Sequence, residues 1–192
     1  PEIFHIGGLS IRYYSILFVS GFIIGWYIFR HFFKNEGIQV SPLLDYLLYT
    51  LLIATIVGAR LGHCLFYQPD YYFGSWAGFA EIFMPWKGGL ASHGGAIALI
   101  IAMIWFAHKF GRKNDFDFVW IMDRLAITVC FAGALIRLGN LFNSEIFGGP
   151  TDLPWGFRFP RSYEWVQLYG PSAEHPEGLA CHPTQLYEAL CY

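Results

Sequence analysis

Four long apolar runs constrain this chain more than any other feature of its sequence. They cover about residues 13–33, 43–67, 89–110 and 118–142, and polar or turn-forming residues bound each of them. A helix needs about 20 mostly apolar residues to cross a bilayer, and each run reaches that length. We therefore predict an all-α, polytopic helical membrane protein with four complete spans.

The composition agrees with a membrane protein and excludes one class of partner. Hydrophobic residues make up 55% of the chain and charged residues 14%, whereas soluble proteins average about 45–50% apolar and about 25% charged residues. The net charge of -2 leaves no basic excess to neutralise phosphates, so we expect no nucleic-acid partner. The four cysteines lack CxxC spacing, and we expect no metal site, disulfide or cofactor.

The two ends of the chain indicate a fragment of a longer protein. We predict a single membrane domain over residues 1–192, in which residues 184–192 begin a fifth helix but stop after about two turns of 3.6 residues. The first residue is Pro1, where an open reading frame normally begins with Met. Both observations predict that further sequence belongs to the protein.

Basic residues predict the orientation of the spans, because Lys and Arg concentrate in cytoplasmic loops. The connections after the first and third runs are basic, whereas the connection after the second is not. The N-terminus and residues 143–183 are therefore predicted to lie outside, with Trp155 and Trp165 resting on the interface. The residues counted are Arg30, Lys34, Lys109, Arg112 and Lys113 against Lys87.

Ionisable residues inside the runs predict a functional site. A charged side chain at the bilayer centre costs at least about 2.5–3.5 kcal/mol, so it should face protein or water. Counting along the predicted spans at about 1.5 Å per residue puts Arg60 roughly 10 Å below the outer interface. His93 lies about one turn and Arg137 about one to two turns below the outer ends of their own spans, so we predict that the three reach one depth. Asn140 and Glu145 continue from Arg137. We therefore expect a polar cluster near the outer face.

Two interpretations of this cluster stay open at the level of the residues. An arginine cannot be deprotonated, and two arginines beside one Glu145 suit a phosphate group. Alternatively, Arg60 and Arg137 brace the helices through backbone carbonyls and Glu145. His93, which lies between glycine pairs, is either an interhelical hydrogen-bond donor or a base that takes a proton near neutral pH.

Several motifs resemble one family in a single order along the chain. The segment GALIRLGNLFNSEIFG at residues 133–148 resembles the signature of the bacterial prolipoprotein diacylglyceryl transferases, with Ile136 and Leu141 where that family usually has Gly and Phe. The stretches that agree with it are Arg12-Tyr13-Tyr14, Gly58-Ala59-Arg60-Leu61-Gly62, the Gly-Gly-x-x-x-His-Gly-Gly run ending at Gly95, and His182-Pro183-Thr184-Gln185-Leu186-Tyr187-Glu188.

The resemblance implies an activity in the bacterial inner membrane. The family moves a diacylglyceryl group from phosphatidylglycerol to the lipobox cysteine of a preprolipoprotein at the periplasmic face, forming a thioether. It implies seven spans and a further essential arginine beyond this sequence. By the same resemblance, His93 and Arg137 are expected to be catalytic. The expected lipid-binding residues are Arg137, Arg60, Tyr14, Asn140, Glu145, Gly94 and Gly148.

Two other classes of function use the same features. A transporter or channel would use the arginines as an anion site, and it would move solute across liposomes without consuming lipid. A structural membrane subunit would tolerate loss of Arg137. The ordered motifs, and the His, Arg, Asn and Glu residues at one predicted depth, favour the enzyme.

Overall fold

The computed structural model describes residues 2–6 and 9–192, with side chains from Tyr13 onward. Helices dominate it, and a two-stranded antiparallel hairpin precedes the first helix. The elements are β1 Glu2–Ile6, β2 Leu9–Arg12, α1 Tyr13–Asn35, α2 Leu43–Phe66, α3 Pro69–Phe73, α4 Trp76–Ile82, a 3₁₀ turn Pro85–Lys87, α5 Ser92–Phe106, a π turn Ala107–Gly111, α6 Arg112–Asn114, α7 Phe118–Asn143, α8 Tyr163–Tyr169 and α9 Thr184–Cys191.

The prediction of a polytopic helical membrane protein is confirmed. Four helical segments are long and apolar enough to cross a membrane, and they have 23, 24, 23 and 26 residues. They are α1, α2, the stretch Ser92–Asn114 and α7. The start of a fifth helix is present as α9. The short hairpin β1–β2 was not expected, and Arg12 belongs to it, although its side chain lies outside the described part.

The third span differs from its predicted bounds at both ends. It begins at Ser92 rather than residue 89, because Gly88 and Gly89 have φ angles of 90° and 71° that an α-helix cannot contain. At its other end the helix widens into the π turn and continues to Asn114. Glycine at these positions therefore ends the preceding loop instead of beginning the helix.

The chain divides into two compact units. The first unit comprises Pro1–Ile28 and Ala126–Tyr192, and the second comprises Phe29–Leu125. In the first unit, α1 packs on α7 where Gly21 faces Ala132, since a Cβ on Gly21 would lie 3.1 Å from the Ala132 Cβ. Small residues thus let the two spans approach closely.

In the second unit, α2 and α5 cross backbone against backbone. A Cβ added to Gly94 would lie 2.4 Å from the Gly58 carbonyl oxygen and 2.6 Å from the Gly62 Cα. A Cβ on Gly58 would lie 2.2 Å from the Ala98 Cβ. Real side chains do not tolerate such distances, so the crossing requires glycine and fixes the two helices against each other.

An ion pair between α7 and the residue after α1 also stabilises the second unit. The Arg124 guanidinium lies 2.9 Å from a Glu36 carboxylate oxygen, and the Trp120 indole donates to the other oxygen. Desolvation opposes ionisation of Glu36, but these hydrogen bonds and the Arg124 charge outweigh it and lower the pKa of Glu36.

Residues 144–183 of the first unit form a small region with its own core. Trp165 is 1% exposed and packs with Phe159 and Cys181, and its indole donates to the Leu179 carbonyl at 3.0 Å. The prediction that Trp165 rests on the membrane interface is therefore wrong, because its ring is used inside the protein. Trp155, in contrast, is 53% exposed.

Candidate active site

Arg60 is a buried side chain that holds a loop. It is 4% exposed and donates four hydrogen bonds of 2.5–3.1 Å to backbone carbonyls. Two of the acceptors are the carbonyls of Glu81 and Ile82 at the end of α4, and the other two are those of Gly88 and Gly89 in the loop before α5. A guanidinium has five N–H donors, so one is left. The bracing interpretation of Arg60 is therefore the one that the geometry favours.

The position of these carbonyls explains why a cation is needed there. Glu81 and Ile82 end α4, and carbonyls in the last turn of a helix have no partner within the helix. A cation at that end also interacts favourably with the helix dipole. The Tyr72 ring covers the guanidinium at 4.9 Å. A lipid-binding role for Arg60 stays a prediction, and only one N–H of its guanidinium is left to donate to a lipid.

A second set of contacts ties the same loop together from its exposed side. The Glu81 carboxylate accepts from Lys87 Nζ at 2.8 Å and from the Tyr71 hydroxyl at 3.0 Å. The hydrogen bond from Lys87, followed by that from Tyr71, lowers the pKa of Glu81, and the same contact raises the pKa of Lys87. The loop that leads into α5 is thus held by side chains on both of its faces.

His93 lies at the start of α5 with its ring accessible. Phe66 and Tyr67, at the end of α2, flank it at centroid distances of 5.2 and 5.7 Å. Within residues 13–192, no other side chain donates to or accepts from its ring nitrogens. An exposed imidazole without a protein partner, held by aromatic edges, can exchange a proton with a substrate group.

Gly94 has a packing explanation that does not involve lipid. It lies at the α2–α5 crossing, where a side chain would collide with Gly58 and Gly62. Its neighbour Gly95 has space, since a Cβ there would meet nothing closer than 3.7 Å. A direct lipid contact of Gly94 stays a prediction.

The first unit holds the second group of candidate residues, and Arg137 is its cation. Its Nε lies 2.5 Å from a carboxylate oxygen of Glu188 on α9. Among the described residues, Glu188 is the only ion-pair partner of Arg137. The side chain of Arg137 is 25% exposed and that of Glu188 is 42% exposed, so the pair is partly open. Binding through Nε leaves the two terminal nitrogens of the guanidinium for a further anion.

A tight turn after α7 directs Glu145 back toward the helix. Ser144 and Ile146 have φ angles of 61° and 59°, which is rare for any residue with a side chain and rarer for a β-branched one. The Glu145 carboxylate accepts from Asn140 Nδ2 at 3.4 Å and from Asn143 Nδ2 at 3.3 Å. Backbone strain of this kind collects at functional sites.

The start of α9 locks this turn in place. Gln185 is fully buried and donates to the Glu145 carbonyl at 2.6 Å, and the Thr184 hydroxyl donates to the Ile146 carbonyl at 2.8 Å. Gly148 makes the approach possible, because a Cβ there would lie 2.7 Å from Thr184 Cγ2. Gly148 therefore contributes by letting the backbone pass close to Thr184, and not through a side chain.

Tyr14 completes the group from α1. Its ring fills the notch at Gly139, where a Cβ would lie 2.7 Å from Tyr14 Cδ2. Its hydroxyl lies close enough to Glu145 and Arg137 to be affected by both charges. The hydroxyl can therefore contact a ligand held by Arg137.

The predicted site residues thus fall into two groups. The first unit brings together Arg137 and its neighbours, and the second unit contains Arg60, His93 and Gly94. The convergence of both groups at one depth stays a prediction. Within the described part of the chain, no three His, Cys, Asp or Glu side chains could hold a metal ion. The first group is Tyr14, Arg137, Asn140, Glu145 and Gly148.

Comparison with known proteins decides which family these groups belong to. The family model described as prolipoprotein diacylglyceryl transferase matches residues 1–192, which is the whole chain. The chain belongs to the prolipoprotein diacylglyceryl transferase family. The resemblance of the ordered motifs is thereby confirmed.

Curated relatives agree with this family. The chain is 48% identical to the phosphatidylglycerol–prolipoprotein diacylglyceryl transferase of Porphyromonas gingivalis over 193 residues. It is 40% identical to the proteins of the same name from Chloroherpeton thalassium and Tolumonas auensis. These matches cover 100% of this chain but only 64–66% of each relative. The chain therefore spans about two thirds of the length of the transferases that it resembles.

Sequence reasoning missed several residues of this transferase-family site. Glu188 and Gln185 were quoted only as parts of a motif, although they hold Arg137 and the Glu145 turn. His63 was assigned no role from the sequence, and its ring stacks on that of Tyr67 at a centroid distance of 5.5 Å. The spacing of HPTQLYE, which repeats polar residues at one helical face, was the signal that could have identified Glu188.

Proposed function

We propose that this protein transfers the diacylglyceryl group of phosphatidylglycerol to the cysteine thiol of a prolipoprotein. The observation that carries the proposal is the family match over all 192 residues. The names of the relatives supply both substrates. The four apolar spans agree with an enzyme whose lipid substrate lies in the bilayer. We place it in the bacterial inner membrane, with the N-terminus and the reacting groups toward the periplasm.

The reaction needs a thiolate and a stabilised leaving group. The cysteine sulfur attacks a glycerol carbon of the lipid, a C–S bond forms, and the C–O bond to phosphate breaks. Glycerol phosphate leaves with the electron pair, and the thiol proton passes to a base. A free thiol of pKa about 8.5 is only a few per cent ionised near pH 7. A base that removes the thiol proton therefore increases the amount of reactive thiolate.

Arg137 is the residue proposed to hold the phosphate. Its Nε is taken by Glu188, which leaves the terminal N–H groups for the phosphate oxygens. These donors also stabilise the charge that grows on the leaving phosphate, which is where preorganised donors accelerate a reaction most. Asn140, Glu145 and Tyr14 border Arg137 and supply polar groups for the glycerol hydroxyls.

His93 is the residue proposed to take the thiol proton. Its ring is exposed and free of hydrogen bonds to the described side chains, so an imidazole nitrogen is available to accept the proton. Gly94 and Arg60 help to position His93, because Gly94 allows the close packing of α5 on α2 and Arg60 holds the loop that leads into α5.

Incubation with both substrates tests the proposal directly. The full-length protein is mixed with phosphatidylglycerol vesicles and a synthetic peptide containing a lipobox cysteine, and the peptide mass is measured. We expect a gain of one diacylglyceryl group that a Cys→Ser peptide does not show. No mass gain on the cysteine peptide would exclude the proposed reaction. The transporter alternative finds no support in the comparisons.

A further inference from the structure

An apolar groove runs between α2 and α5 in the second unit, from Leu61 near the Gly94 crossing to Tyr46 and Phe110 at its other end. It has a volume of about 980 Å³ and opens to the outside of the helix pair. It extends from Leu61 to Tyr46 along α2, which is about 22 Å at about 1.5 Å per residue. Both α2 and α5 are long and apolar enough to cross a membrane, so the apolar lining of the groove agrees with a lipid environment.

The floor of the groove is built from small residues and its closed end from rings. Ala54 and Ala102 leave space between the helices, and the helices meet where Gly58 contacts Ala98. At the opposite end, the Tyr46 and Phe110 rings stack at 5.8 Å. These boundaries define an elongated slot, which fits flexible chains better than a compact solute.

One cation marks the end of the slot. Lys109 lines it and is exposed, and it lies in the π turn Ala107–Gly111. Its ammonium lies 4.6 Å from the centre of the Trp105 ring and 5.3 Å from that of Phe110. Within residues 13–192, Lys109 has no carboxylate partner. π turns inside α-helices are frequent at functional sites.

We propose that this groove binds one anionic glycerophospholipid, with its phosphate at Lys109 and its acyl chains along the slot. A compact ammonium is a suitable point charge for phosphate. The Trp105 and Tyr49 rings line the same groove, and Trp and Tyr are the residue types enriched where proteins meet lipid headgroups. The headgroup position is separate from His93, because sixteen positions of the third span separate Lys109 from it.

Charge argues for a lipid over the other possible occupants. A signal peptide carries a positive segment at its N-terminus, which Lys109 would repel. A second copy of this chain would have to cover an unpaired lysine with its own apolar surface, leaving that charge without a partner. An anionic headgroup satisfies the charge, and the acyl chains cover the aliphatic walls.

Native mass spectrometry of the delipidated full-length protein tests the site by binding, without any transfer reaction. The protein is titrated with dioleoyl phosphatidylglycerol or dioleoyl phosphatidylcholine. We expect Lys109→Gln to weaken the binding of one phosphatidylglycerol molecule about ten-fold, which corresponds to the loss of one charge-assisted hydrogen bond. Lys109→Arg should retain the lipid, and Lys113→Gln, four residues along, is the matched control.

A substitution in the slot separates the headgroup from the chains. Ala54→Trp should fill the floor and remove binding of both lipids. The proposal is overturned if Lys109→Gln binds phosphatidylglycerol as Lys113→Gln does. It is equally overturned if the wild-type protein binds phosphatidylcholine as tightly, which indicates annular lipid only, or if a dimer forms that excludes the lipid. Because the readout is binding, an inactive transferase would not affect it.

Discussion

Arg137 on α7 and Glu188 on α9 form an ion pair through the guanidinium Nε at 2.5 Å. The pair joins residues 51 positions apart and connects the signature segment with the HPTQLYE segment. The contact is made through Nε, which leaves the terminal N–H groups of Arg137 for a further anion. Glu188 is therefore a positioning residue for the cation that we assign to the phosphate.

Replacing Glu188 should reduce transfer more than stability. We expect Glu188→Gln to lower kcat/KM about ten-fold, which corresponds to about 1.4 kcal/mol of lost transition-state stabilisation. Glu177→Gln is the control, because Glu177 pairs with Arg158 at 3.2 Å on the exposed surface, where such pairs contribute about 0–1 kcal/mol. Initial rates of peptide modification measure both variants. Equal rates for them would show that Arg137 needs no partner.

Loss of the proposed base should slow the transfer reaction. We expect His93→Gln to lower the rate of transfer about 10²–10⁴-fold, because a glutamine amide cannot take the thiol proton. His108→Gln, at the opposite end of the third span, should leave the rate of peptide modification unchanged. Near-normal turnover of His93→Gln would contradict the assignment.

Arg60 offers a test between a structural and a ligand role. Arg60→Lys keeps the charge but cannot reach four carbonyls, so we expect a loss of about 2 kcal/mol in the free energy of unfolding. Faster proteolysis within residues 76–91 should accompany it. Arg112→Lys, at an exposed position, is the control. Unchanged stability together with lost phosphatidylglycerol binding would mean that Arg60 is a lipid ligand after all.

Adjacent glycines should respond differently to one methyl group. Gly94→Ala places a Cβ 2.4 Å from the Gly58 carbonyl oxygen, and we expect overpacking to cost about 1–3 kcal/mol. Gly95→Ala has 3.7 Å of clearance and should be neutral or slightly stabilising, since Ala favours helix. Thermal unfolding in detergent compares the two. A similar loss in both would argue against the tight α2–α5 crossing.

The Glu36–Arg124 pair should make stability depend on pH. The pKa of Glu36 is lower in the folded protein, so its contribution is present above the unfolded pKa of about 4.3. It is lost as the pH falls through the lower folded pKa. Because Glu36 is partly exposed, we expect less than about 1 kcal/mol. Chemical denaturation from pH 7 to 3 should show this component in the wild type and not in Glu36→Gln.

The spans could be predicted from the sequence because hydrocarbon imposes a simple length requirement. The contacts of Arg60 could not, since backbone carbonyls have no signature among residue types. Trp165 was misassigned for a related reason. An amphipathic ring suits both an interface and a small core, and only the packing of Phe159 and Cys181 distinguishes them.

Site residues were predicted where chemistry and motif coincided. Arg137 is a charged group that a membrane segment cannot carry without a role, and Glu145 follows it in the signature segment, so the sequence alone selected both. Glu188 lies in a different apolar helix, 51 positions after Arg137 in the sequence. Nothing in the residues around it indicates that it contacts Arg137. Long-range pairs of this kind depend on how α7 and α9 approach, which is a tertiary property.

The Arg60 clamp has a consequence for how the loop can change during evolution. Its four acceptors are peptide oxygens, which every amino acid supplies. Substitutions at positions 81 and 82 therefore keep the carbonyl acceptors of Arg60, provided that the chain keeps its path and its length. Insertions or deletions between α4 and α5 should be far rarer than substitutions.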